Sequence, residues 1–372
     1  MIPFSSVPPV PGRPYLTIDL ATVRSNVAEL RGALPAAEVR YAVKANPAEP
    51  VLRLLADLDC TFDVASVGEI DLCAAAGIDG ALMTFGNPLK KPTEIAYAFA
   101  RGARRFTFDT ADGLSAIAEN APGSSVESRI APAFPSSVTP FGHKFGCSPE
   151  DAVRLLTEAS RLGLRADGVA FHVGSQQLDP AAWEIGIRCA RVIFDAVPGL
   201  ATLNLGGGIP ISYDARVPDV GLVGGAIGDA LGRHFPAVPQ VVIEPGRAIV
   251  GSAGTLSCEV VSVRTGTDGR RWVYLDIGRY GGLAETENEY IRYRLRTSRD
   301  GDPVDDAVVA GPTCDGDDVL YQRYPLPVSL RPGDPVEIES AGAYTTSYSS
   351  SFNGFEPLAT QFVEVTDAVT TG

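Results

Sequence analysis

Eight short apolar runs recur through the first two thirds of the chain, and segments with helical periodicity separate them. Each run is nearly continuous in hydrophobic residues, which is typical of parallel strands that are covered on both faces. The runs occupy residues 39–44, 60–66, 80–86, 104–109, 128–134, 167–173, 201–208 and 240–246. Eight strand–helix units in succession predict an α/β fold, a (β/α)8 barrel, and a doubly wound sheet is the alternative.

Two of the intervening segments carry clear signals for the start of a helix. Ser66 is a candidate N-cap with Glu69 three residues later, the pattern of a capping box. Ser148 is a second candidate N-cap, and Pro149 follows it at the first helical position. We expect the apolar face of this second helix to include Val153, Leu156 and Leu162.

Beyond about residue 255 the pattern changes to strand-like runs that turns separate, with few helical signals between them. This change predicts a β domain that follows the barrel. An earlier run, YLTIDL at residues 15–20, precedes the first barrel helix and is a candidate strand of that second sheet. The predicted domains are an N-terminal arm and strand at 1–20, a barrel at 21–254 and a C-terminal β domain at 255–372.

The composition narrows the functional classes. A net charge of −14 argues against nucleic-acid binding and is compatible with a cationic substrate, although a solvated acidic surface is its commoner cause. The chain lacks both an apolar run near the roughly 20 residues of a membrane span and a secretory signal. The six cysteines are scattered without a Cys-x-x-Cys pair, which favours free thiols over disulfides or a metal site. We therefore expect a cytoplasmic protein without a membrane partner.

Several polar or glycine positions coincide with the predicted strand ends. They are Lys44, Asp63, His172, Gly206–Gly208 and Glu244. In a (β/α)8 barrel the C-terminal strand ends and the loops after them build the active site. The sequence therefore predicts that these residues converge on one rim of the barrel.

Lys44 is one of only four lysines in the chain, and it follows the apolar residues of YAVKANP. Partial desolvation by these neighbours would raise the neutral, nucleophilic fraction of its amine. A nucleophilic lysine forms imines with carbonyl compounds, including pyridoxal phosphate. A lysine whose stem packs while its amine pairs with a carboxylate explains the pattern equally well.

Three further motifs have a functional and a structural interpretation. The triple glycine at 206–208 can bring backbone N–H groups close to a phosphate, or it can simply make a tight turn. In EPGR, Glu244 could bind a pyridine nitrogen and Arg247 a phosphate, or the two could form a salt bridge across a turn. His172 can present its ring face to a flat cofactor, with Ser175 nearby as a phosphate donor, or it can be a satisfied core histidine.

The segment GPTCDGDD at 311–318 is a fourth motif with two interpretations. The thiol of Cys314 can give a proton to a carbanion, and the carboxylate of Asp315 can hold an ammonium group. The structural interpretation is a polar turn with one buried cysteine.

Taken together and in order, seven motifs resemble the fold-type III pyridoxal-phosphate decarboxylases, the ornithine, diaminopimelate and arginine decarboxylase group. The motifs are YAVKANP, FDVAS…GEI, HVGSQ, GGGIP, EPGR, GPTCDGDD and GAYTTSYSSSFNGF. The likeness runs from about residue 13 to 365, and its last two motifs are most similar to ornithine decarboxylases. It implies a barrel with a second β domain, as in alanine racemases.

The resemblance also implies a role for each matched residue around pyridoxal 5'-phosphate. Lys44 would bond covalently to the cofactor, Glu244 would pair with its pyridine nitrogen, and His172 would stack on its ring. Asp63, Glu69 and Arg129 would surround the cofactor and its lysine. The implied phosphate ligands are Ser175, Gly206, Gly207, Gly208, Arg247 and Tyr344.

On the substrate side, the resemblance implies that Cys314 reprotonates the substrate Cα and that Asp315 binds the distal amine. Both residues would enter the site of a partner subunit, so a homodimer with active sites at the interface is expected. Phe352 would line the pocket. Glu289 is the best match for a further carboxylate at the distal amine, and Glu287 is the second.

The implied reaction is decarboxylation of a basic L-amino acid, first of all L-ornithine to putrescine in polyamine biosynthesis. Lysine, arginine or another ornithine-like compound is the alternative substrate. A non-catalytic regulator with the decarboxylase fold is a further alternative. Such a regulator would be expected to lose the lysine, the phosphate cradle or the cysteine, and this chain has all three.

Overall fold

The chain folds into two compact units, which a computed structural model describes for residues 12–135, 137–139 and 144–364. The barrel unit comprises residues 24–210 and 217–248, and the β unit comprises residues 12–23, 211–216 and 249–364. The first 11 residues of the predicted N-terminal arm lie outside the described part of the chain.

Eight parallel strands close the barrel unit, so the predicted (β/α)8 barrel is confirmed. They follow one another in chain order, and the last pairs with the first through Ala37 and Val241. The strands are β2 (Ala37–Ala42), β3 (Thr61–Val64), β4 (Met83–Phe85), β5 (Arg105–Phe108), β6 (Ser125–Arg129), β7 (Arg165–Ala170), β8 (Thr202–Asn204) and β9 (Gln240–Ile243).

Helices connect the strands and cover the outside of the barrel. They are α1 (Leu20–Ala33), α2 (Glu49–Asp57), α3 (Val67–Ala75), α4 (Pro92–Ala100), α5 (Ala111–Asn120), α6 (Pro149–Arg161), α7 (Ala182–Ala196) and α8 (Val220–His234), with the short α9 (Arg247–Val250) after β9. None of the helices in the described ranges is both long and apolar enough to cross a lipid bilayer.

The two predicted helix starts are confirmed. Ser66 Oγ accepts a hydrogen bond from the Glu69 N–H at 3.3 Å, and Glu69 Oε2 accepts one from the Ala65 N–H at 2.7 Å. Ser148 Oγ likewise accepts from the Asp151 N–H at 3.0 Å. The bonds to Ser66 and Ser148 satisfy N–H groups of the first helical turn that have no partner within the helix, and the bond to Glu69 fixes the residue before the Ser66 cap.

The predicted apolar face of α6 is wrong in part. Leu156 is buried, but Val153 is half-buried and Leu162 is 40% exposed. The buried face follows the spacing i, i+3, i+4, i+7 and consists of Ala152, Leu155, Leu156 and Ala159. Leu162 leaves this face because α6 ends at Arg161.

The predicted strand at 128–134 is shifted. β6 covers Ser125–Arg129, and only an isolated bridge from Ile130 to Cys147 continues the pairing. Pro132 and Pro135 cannot donate to a ladder, so the chain leaves the sheet before them. Arg129 is therefore the last residue of its strand.

The β unit holds a second, mixed sheet, so the predicted C-terminal β domain is confirmed. The strand order is β12-β15-β10-β11-β13-β14, and β1 pairs with β10 and with β16. The elements are β1 (Tyr15–Asp19), β10 (Gly254–Thr265), β11 (Arg271–Leu275), β12 (Leu295–Thr297), β13 (Val304–Ala310), β14 (Val319–Pro327), β15 (Pro335–Ile338) and β16 (Ala359–Val363), with one short helix, α10 (Thr345–Tyr348). The YLTIDL run joins this sheet through β1, whose Leu16 and Ile18 are fully buried.

Candidate functional site

Lys44 lies at the C-terminal end of β2, in a 3₁₀ turn at Val43–Ala45 and not in the strand itself. Val43 and Ala45 are buried, whereas the Lys44 side chain is 45% exposed. About half of the Lys44 side chain is therefore shielded from solvent, and the expected effect of this desolvation on its amine stays a prediction.

Asp63 on β3 is a carboxylate beside this amine. Lys44 Nζ lies 3.9 Å from Asp63 Oδ2, a loose ion pair beyond hydrogen-bonding distance. Asp63 Oδ1 is buried without a hydrogen-bond partner in the described part of the chain. Gly86 makes room for it, since a Cβ there would lie 1.9 Å from Oδ1. Burial raises the pKa of Asp63, and Lys44 opposes that rise.

Glu244 follows the last residue of β9. Its Oε1 accepts a hydrogen bond from Asn204 Nδ2 at 2.6 Å and lies 3.4 Å from Arg40 Nη1. Burial raises the pKa of Glu244 and Asp63 adds to the rise, whereas Arg40 and Asn204 lower it. A carboxylate with these two donors is suited to bind a protonated nitrogen heterocycle.

His172 lies two residues beyond β7. Its Nδ1 accepts a hydrogen bond from the Gly174 N–H at 2.9 Å, so Nε2 carries the proton of the neutral ring. Burial lowers the pKa of His172 well below its usual value, and the Arg129 and Lys44 charges lower it further. A neutral imidazole is suited to stack on a flat aromatic ring.

The triple glycine forms a turn that no other residue fits. Gly206 and Gly208 have positive φ angles of 66° and 97°. A Cβ would lie 2.2 Å from the Phe171 carbonyl oxygen at Gly206 and 2.7 Å from the Glu244 carbonyl oxygen at Gly207. The loops after three neighbouring strands therefore meet at this turn with their backbones almost touching.

Arg247 and Ser175 lie together in the same unit. Arg247 is buried, and its Nη2 donates to Ser175 Oγ at 3.3 Å. A guanidinium, a hydroxyl and a glycine turn are the donor types that proteins use to bind a phosphate group.

Two of the remaining predicted groups of the barrel unit also lie near Lys44 or Asp63. Burial lowers the pKa of Arg129, and the negative charges of Glu244 and Asp63 oppose that change. Burial raises the pKa of Glu69, opposed by the Ala65 N–H and by Lys44. The barrel unit therefore contains a connected group of three cations and four carboxylates: Arg40, Lys44, Arg129, Asp63, Glu69, Glu127 and Glu244.

Cys314 is exposed in the β unit. Its thiol donates to Asn353 Oδ1 at 3.3 Å, and its backbone N–H donates to the same oxygen at 3.2 Å. The expected alternative of a buried cysteine is therefore wrong. All six cysteines are free thiols, and Cys60, Cys73 and Cys258 are the buried ones.

The turn around Cys314 is organised by Asp318, which sequence reasoning missed. This buried carboxylate accepts hydrogen bonds from the Arg279 N–H at 2.8 Å and from Thr313 Oγ1 at 2.7 Å. A Cβ at Gly278 or Gly311 would lie within 2.4 Å of its oxygens. Asp315, in the same turn, accepts from the Asp317 N–H at 2.8 Å.

The two predicted aromatic site residues of the β unit, Phe352 and Tyr344, each pack against a tyrosine. The ring of Phe352 packs against Tyr280 with centroids 4.5 Å apart. The ring of Tyr344 stacks against Tyr348, and Tyr344 has a left-handed φ of 65°. A non-glycine residue in that conformation is strained, which is common where a side chain must be presented to a ligand.

Glu289 is already bound within the β unit. Its Oε2 accepts from Arg292 Nη1 at 3.1 Å and its Oε1 from the Gln322 N–H at 2.8 Å. Glu287 pairs with Arg279 Nη2 at 3.3 Å. An amine would have to compete with Arg292 for Glu289, so this assignment stays a prediction.

Sequence reasoning also missed Lys90. This buried amine donates to the carbonyl oxygens of Asn87 and Thr107, both at 2.5 Å, and so ties the loop after β4 to β5. Burial lowers the pKa of Lys90 to about 7. Its rarity in the chain was a usable signal, because only four lysines occur.

Comparison with known proteins gives consistent matches. A family model described as the pyridoxal binding domain of pyridoxal-dependent decarboxylases matches residues 20–251. A lysine/ornithine decarboxylase of Selenomonas ruminantium is 37% identical over 348 residues, which are 92% of this chain and 87% of that protein.

Solved structures match over nearly the whole chain. A SrLDC mutant in complex with PLP has a TM-score of 0.88 and 36% identity, covering 95% of this chain and 92% of the other. A lysine/ornithine decarboxylase from Vibrio vulnificus, complexed with cadaverine, has a TM-score of 0.86 and 32% identity, with 94% of each chain covered.

Proposed function

The chain belongs to the pyridoxal-dependent decarboxylases, and from this premise we propose that it removes the α-carboxyl group of L-ornithine and releases putrescine. The observation that supports the proposal most is the half-exposed Lys44 side chain, whose amine pairs with Asp63 at the end of the barrel strands. An acidic protein whose relatives include a lysine/ornithine decarboxylase is suited to a basic amino acid.

The residues of the barrel unit fit pyridoxal 5'-phosphate, the cofactor of this family. The glycine turn lets the backbones of three loops approach one another where a phosphate would bind, and the unsatisfied Asp63 Oδ1 is a buried acceptor beside the lysine. In this proposal Lys44 holds the aldehyde, Glu244 the ring nitrogen, and the phosphate ligands are Ser175, Gly206, Gly207, Gly208, Arg247 and Tyr344. When bound, the cofactor supplies an electron sink for the electrons that remain on Cα after CO2 leaves.

The chain's own groups orient the reactants and move protons. In the proposed mechanism the ionised Glu244 keeps a proton on the nitrogen that it binds. The neutral His172 ring would pack on the cofactor without adding a positive charge, since its Nδ1 accepts from the Gly174 N–H. Arg129 lies near Asp63 and Glu244, and its charge offsets theirs.

Cys314 and Asp315 complete the proposed substrate site. The thiol of Cys314 gives its proton to Cα, and Asn353 orients the thiol through its side-chain oxygen. Asp315 binds the distal ammonium group, and Phe352 beside Tyr280 forms an aromatic wall of the pocket. We further propose that these residues act in the site of a partner subunit, so that the enzyme is a homodimer.

A substrate panel tests the proposed specificity. We expect CO2 release from L-ornithine to give the highest kcat/KM, with L-lysine second and L-arginine lowest, and with putrescine as the product of ornithine. The measurement is CO2 release together with chromatographic identification of each amine. A lack of ornithine turnover alongside turnover of lysine would transfer the proposal to the alternative substrate.

Complementation tests the shared site. Lys44→Ala and Asp315→Asn are each expected to be nearly inactive, and their co-expression should restore about a quarter of wild-type activity, since half of random dimers would contain one intact site of two. Co-expression of two differently tagged Lys44→Ala chains is the control and should restore none. Failure of the first pair to complement, with mixed dimers demonstrated by the tags, would place each site within one chain.

A further inference from the structure

A buried arginine lies behind the Glu244 carboxylate. Arg40 on β2 is 1% exposed, and its Nη1 lies 3.2 and 3.4 Å from the two carboxylate oxygens of Glu127 and 3.4 Å from Glu244 Oε1. Glu127 on β6 is 2% exposed. Arg40 Nε lies 3.6 Å from Glu38 Oε1, a further carboxylate at the start of β2. One guanidinium therefore faces three carboxylates.

Asn204 on β8 connects the same two glutamates to the glycine turn. Its Oδ1 accepts from the Gly206 N–H at 2.9 Å, and an N–H can only donate, so the orientation of the amide is determined. Its Nδ2 therefore faces Glu244 Oε1 at 2.6 Å and Glu127 Oε2 at 3.0 Å.

These contacts give both glutamates the same two kinds of donor. Neither an arginine Nη1 nor an amide Nδ2 can accept a proton, so these contacts favour the ionised form of Glu244. Glu127 contacts the same guanidinium and the same amide, so it competes with Glu244 for both donors. The ionisation of Glu244 should therefore depend on Glu127, although Glu127 lies on another strand and is almost fully buried.

Other charges also act on Glu244. From the neighbouring elements of the barrel unit it is influenced by Asp63 on β3, Arg129 on β6, and Arg40 and Lys44 on and after β2. Burial and Asp63 raise the pKa of Glu244, and Arg40, Asn204 and Lys44 lower it.

We propose that Arg40 is a positioning residue which, balanced by Glu127 and connected through Asn204, keeps Glu244 ionised and fixed at the mouth of the barrel. The inference deepens the proposed function, on which it rests for the identity of the group that Glu244 binds. Stability alone does not call for such a network, because apolar side chains of similar volume avoid the desolvation of several charges. The test uses substitutions of Arg40 and Glu127 that change charge with little change of volume.

Arg40→Met and Glu127→Gln should move the ionisation of Glu244 in opposite directions. Loss of the guanidinium leaves two repelling carboxylates and raises the pKa of Glu244, whereas loss of the Glu127 charge gives the guanidinium to Glu244 alone and lowers it. The carboxylate is present above this pKa and is lost as the pH falls through it. Its midpoint should therefore rise by about one pH unit in Arg40→Met and fall in Glu127→Gln.

The ionisation can be measured in the cofactor-free protein by infrared spectroscopy. The carboxyl band of Glu244 is identified as the one that disappears in Glu244→Gln, and its pH midpoint is followed in each variant. The second measurement is the affinity for pyridoxal 5'-phosphate as a function of pH. The pH at which this affinity falls on the acid side should shift together with the midpoint of the infrared band. The double variant Arg40→Met/Glu127→Gln should return the midpoint towards the wild-type value.

Arg53→Met is the matched control, because Arg53 is exposed on α2 and pairs with Glu49 there. It should leave the midpoint unchanged. Equal shifts of the same sign in both variants, or no shift in a folded Arg40→Met, would overturn the inference. If Arg40→Met does not fold, Glu127→Gln alone tests the inference. The Glu244 midpoint should then fall in that variant, and an unchanged midpoint would refute the proposed role of Arg40.

The two proposals fail separately. If the infrared midpoints move as expected but the wild-type protein does not bind pyridoxal 5'-phosphate, the proposed function is wrong and the network remains. If the wild-type protein binds the cofactor through Lys44 and the midpoints do not move, only the inference about Arg40 is wrong.

Discussion

Lys44→Ala should abolish turnover, with kcat/KM lower by about three to six orders of magnitude, as expected when a residue that forms a covalent bond in the reaction is removed. The purified wild-type protein with pyridoxal 5'-phosphate should show a visible absorption band that the variant lacks. Borohydride reduction followed by mass spectrometry should find the cofactor adduct on Lys44 in the wild-type protein.

Lys91→Ala is the matched control, since Lys91 is an exposed lysine at the start of α4 whose side chain makes no capping bond. It should retain both the absorption band and the turnover. An adduct on any other lysine would contradict the proposed role of Lys44. A wild-type protein that gains no band with added cofactor would favour the non-catalytic regulator.

Cys314→Ala should still release CO2 but should deliver the proton to the wrong atom. We expect the yield of putrescine per CO2 to fall severalfold, with an amino aldehyde and pyridoxamine 5'-phosphate in its place, because the thiol that protonates Cα is absent. The measurement is the ratio of amine to CO2 in the same reaction. Cys189→Ala is the control, since this half-buried thiol of α7 lies on a barrel helix and has no proposed role. A variant at position 314 with an unchanged ratio would remove the thiol from this step.

The barrel could be predicted from the sequence because its signals are local. Continuous apolar runs identify the eight strands, and the caps at Ser66 and Ser148 mark helix starts that the hydrogen bonds confirm. Lys44, His172 and Glu244 all follow strands, so their positions at the strand ends could be read from the pattern. The exact strand ends could not, because the turn at Val43–Ala45 and the prolines after Ile130 decide them.

The network behind Glu244 could not be predicted in the same way. Arg40 lies inside the run at 39–44, whereas Glu127 lies just before the run at 128–134 and enters β6 only because that strand is shifted. A single sequence does not tell whether such charged residues face solvent or one another. Their pairing joins β2 to β6 across the barrel, so it depends on closure of the sheet. Asn204 stands two residues before the glycine turn, yet its role depends on which strands are its neighbours.

For a related reason, the sequence could not predict the exposure of Lys44 or the contacts of Glu289. Apolar neighbours predict partial desolvation of the amine, but its extent depends on the turn at Val43–Ala45, which buries Val43 and Ala45 and leaves Lys44 half-exposed. Glu289 matched a substrate-binding position by order in the chain, whereas its carboxylate binds Arg292 and a backbone N–H. Motif order identifies candidates, and only local geometry decides what each side chain can reach.

The place of β1 in the sheet of the β unit has a consequence for biosynthesis. Tyr15–Asp19 is translated before the barrel strands, whereas both of its hydrogen-bonded neighbours, β10 and β16, are translated after them. The strand therefore has no partner in this sheet until β10 has been made, and its pairing with β16 forms later still. Slow elongation through the barrel segment should prolong the exposure of Leu16 and Ile18 and should increase the demand for chaperones during synthesis.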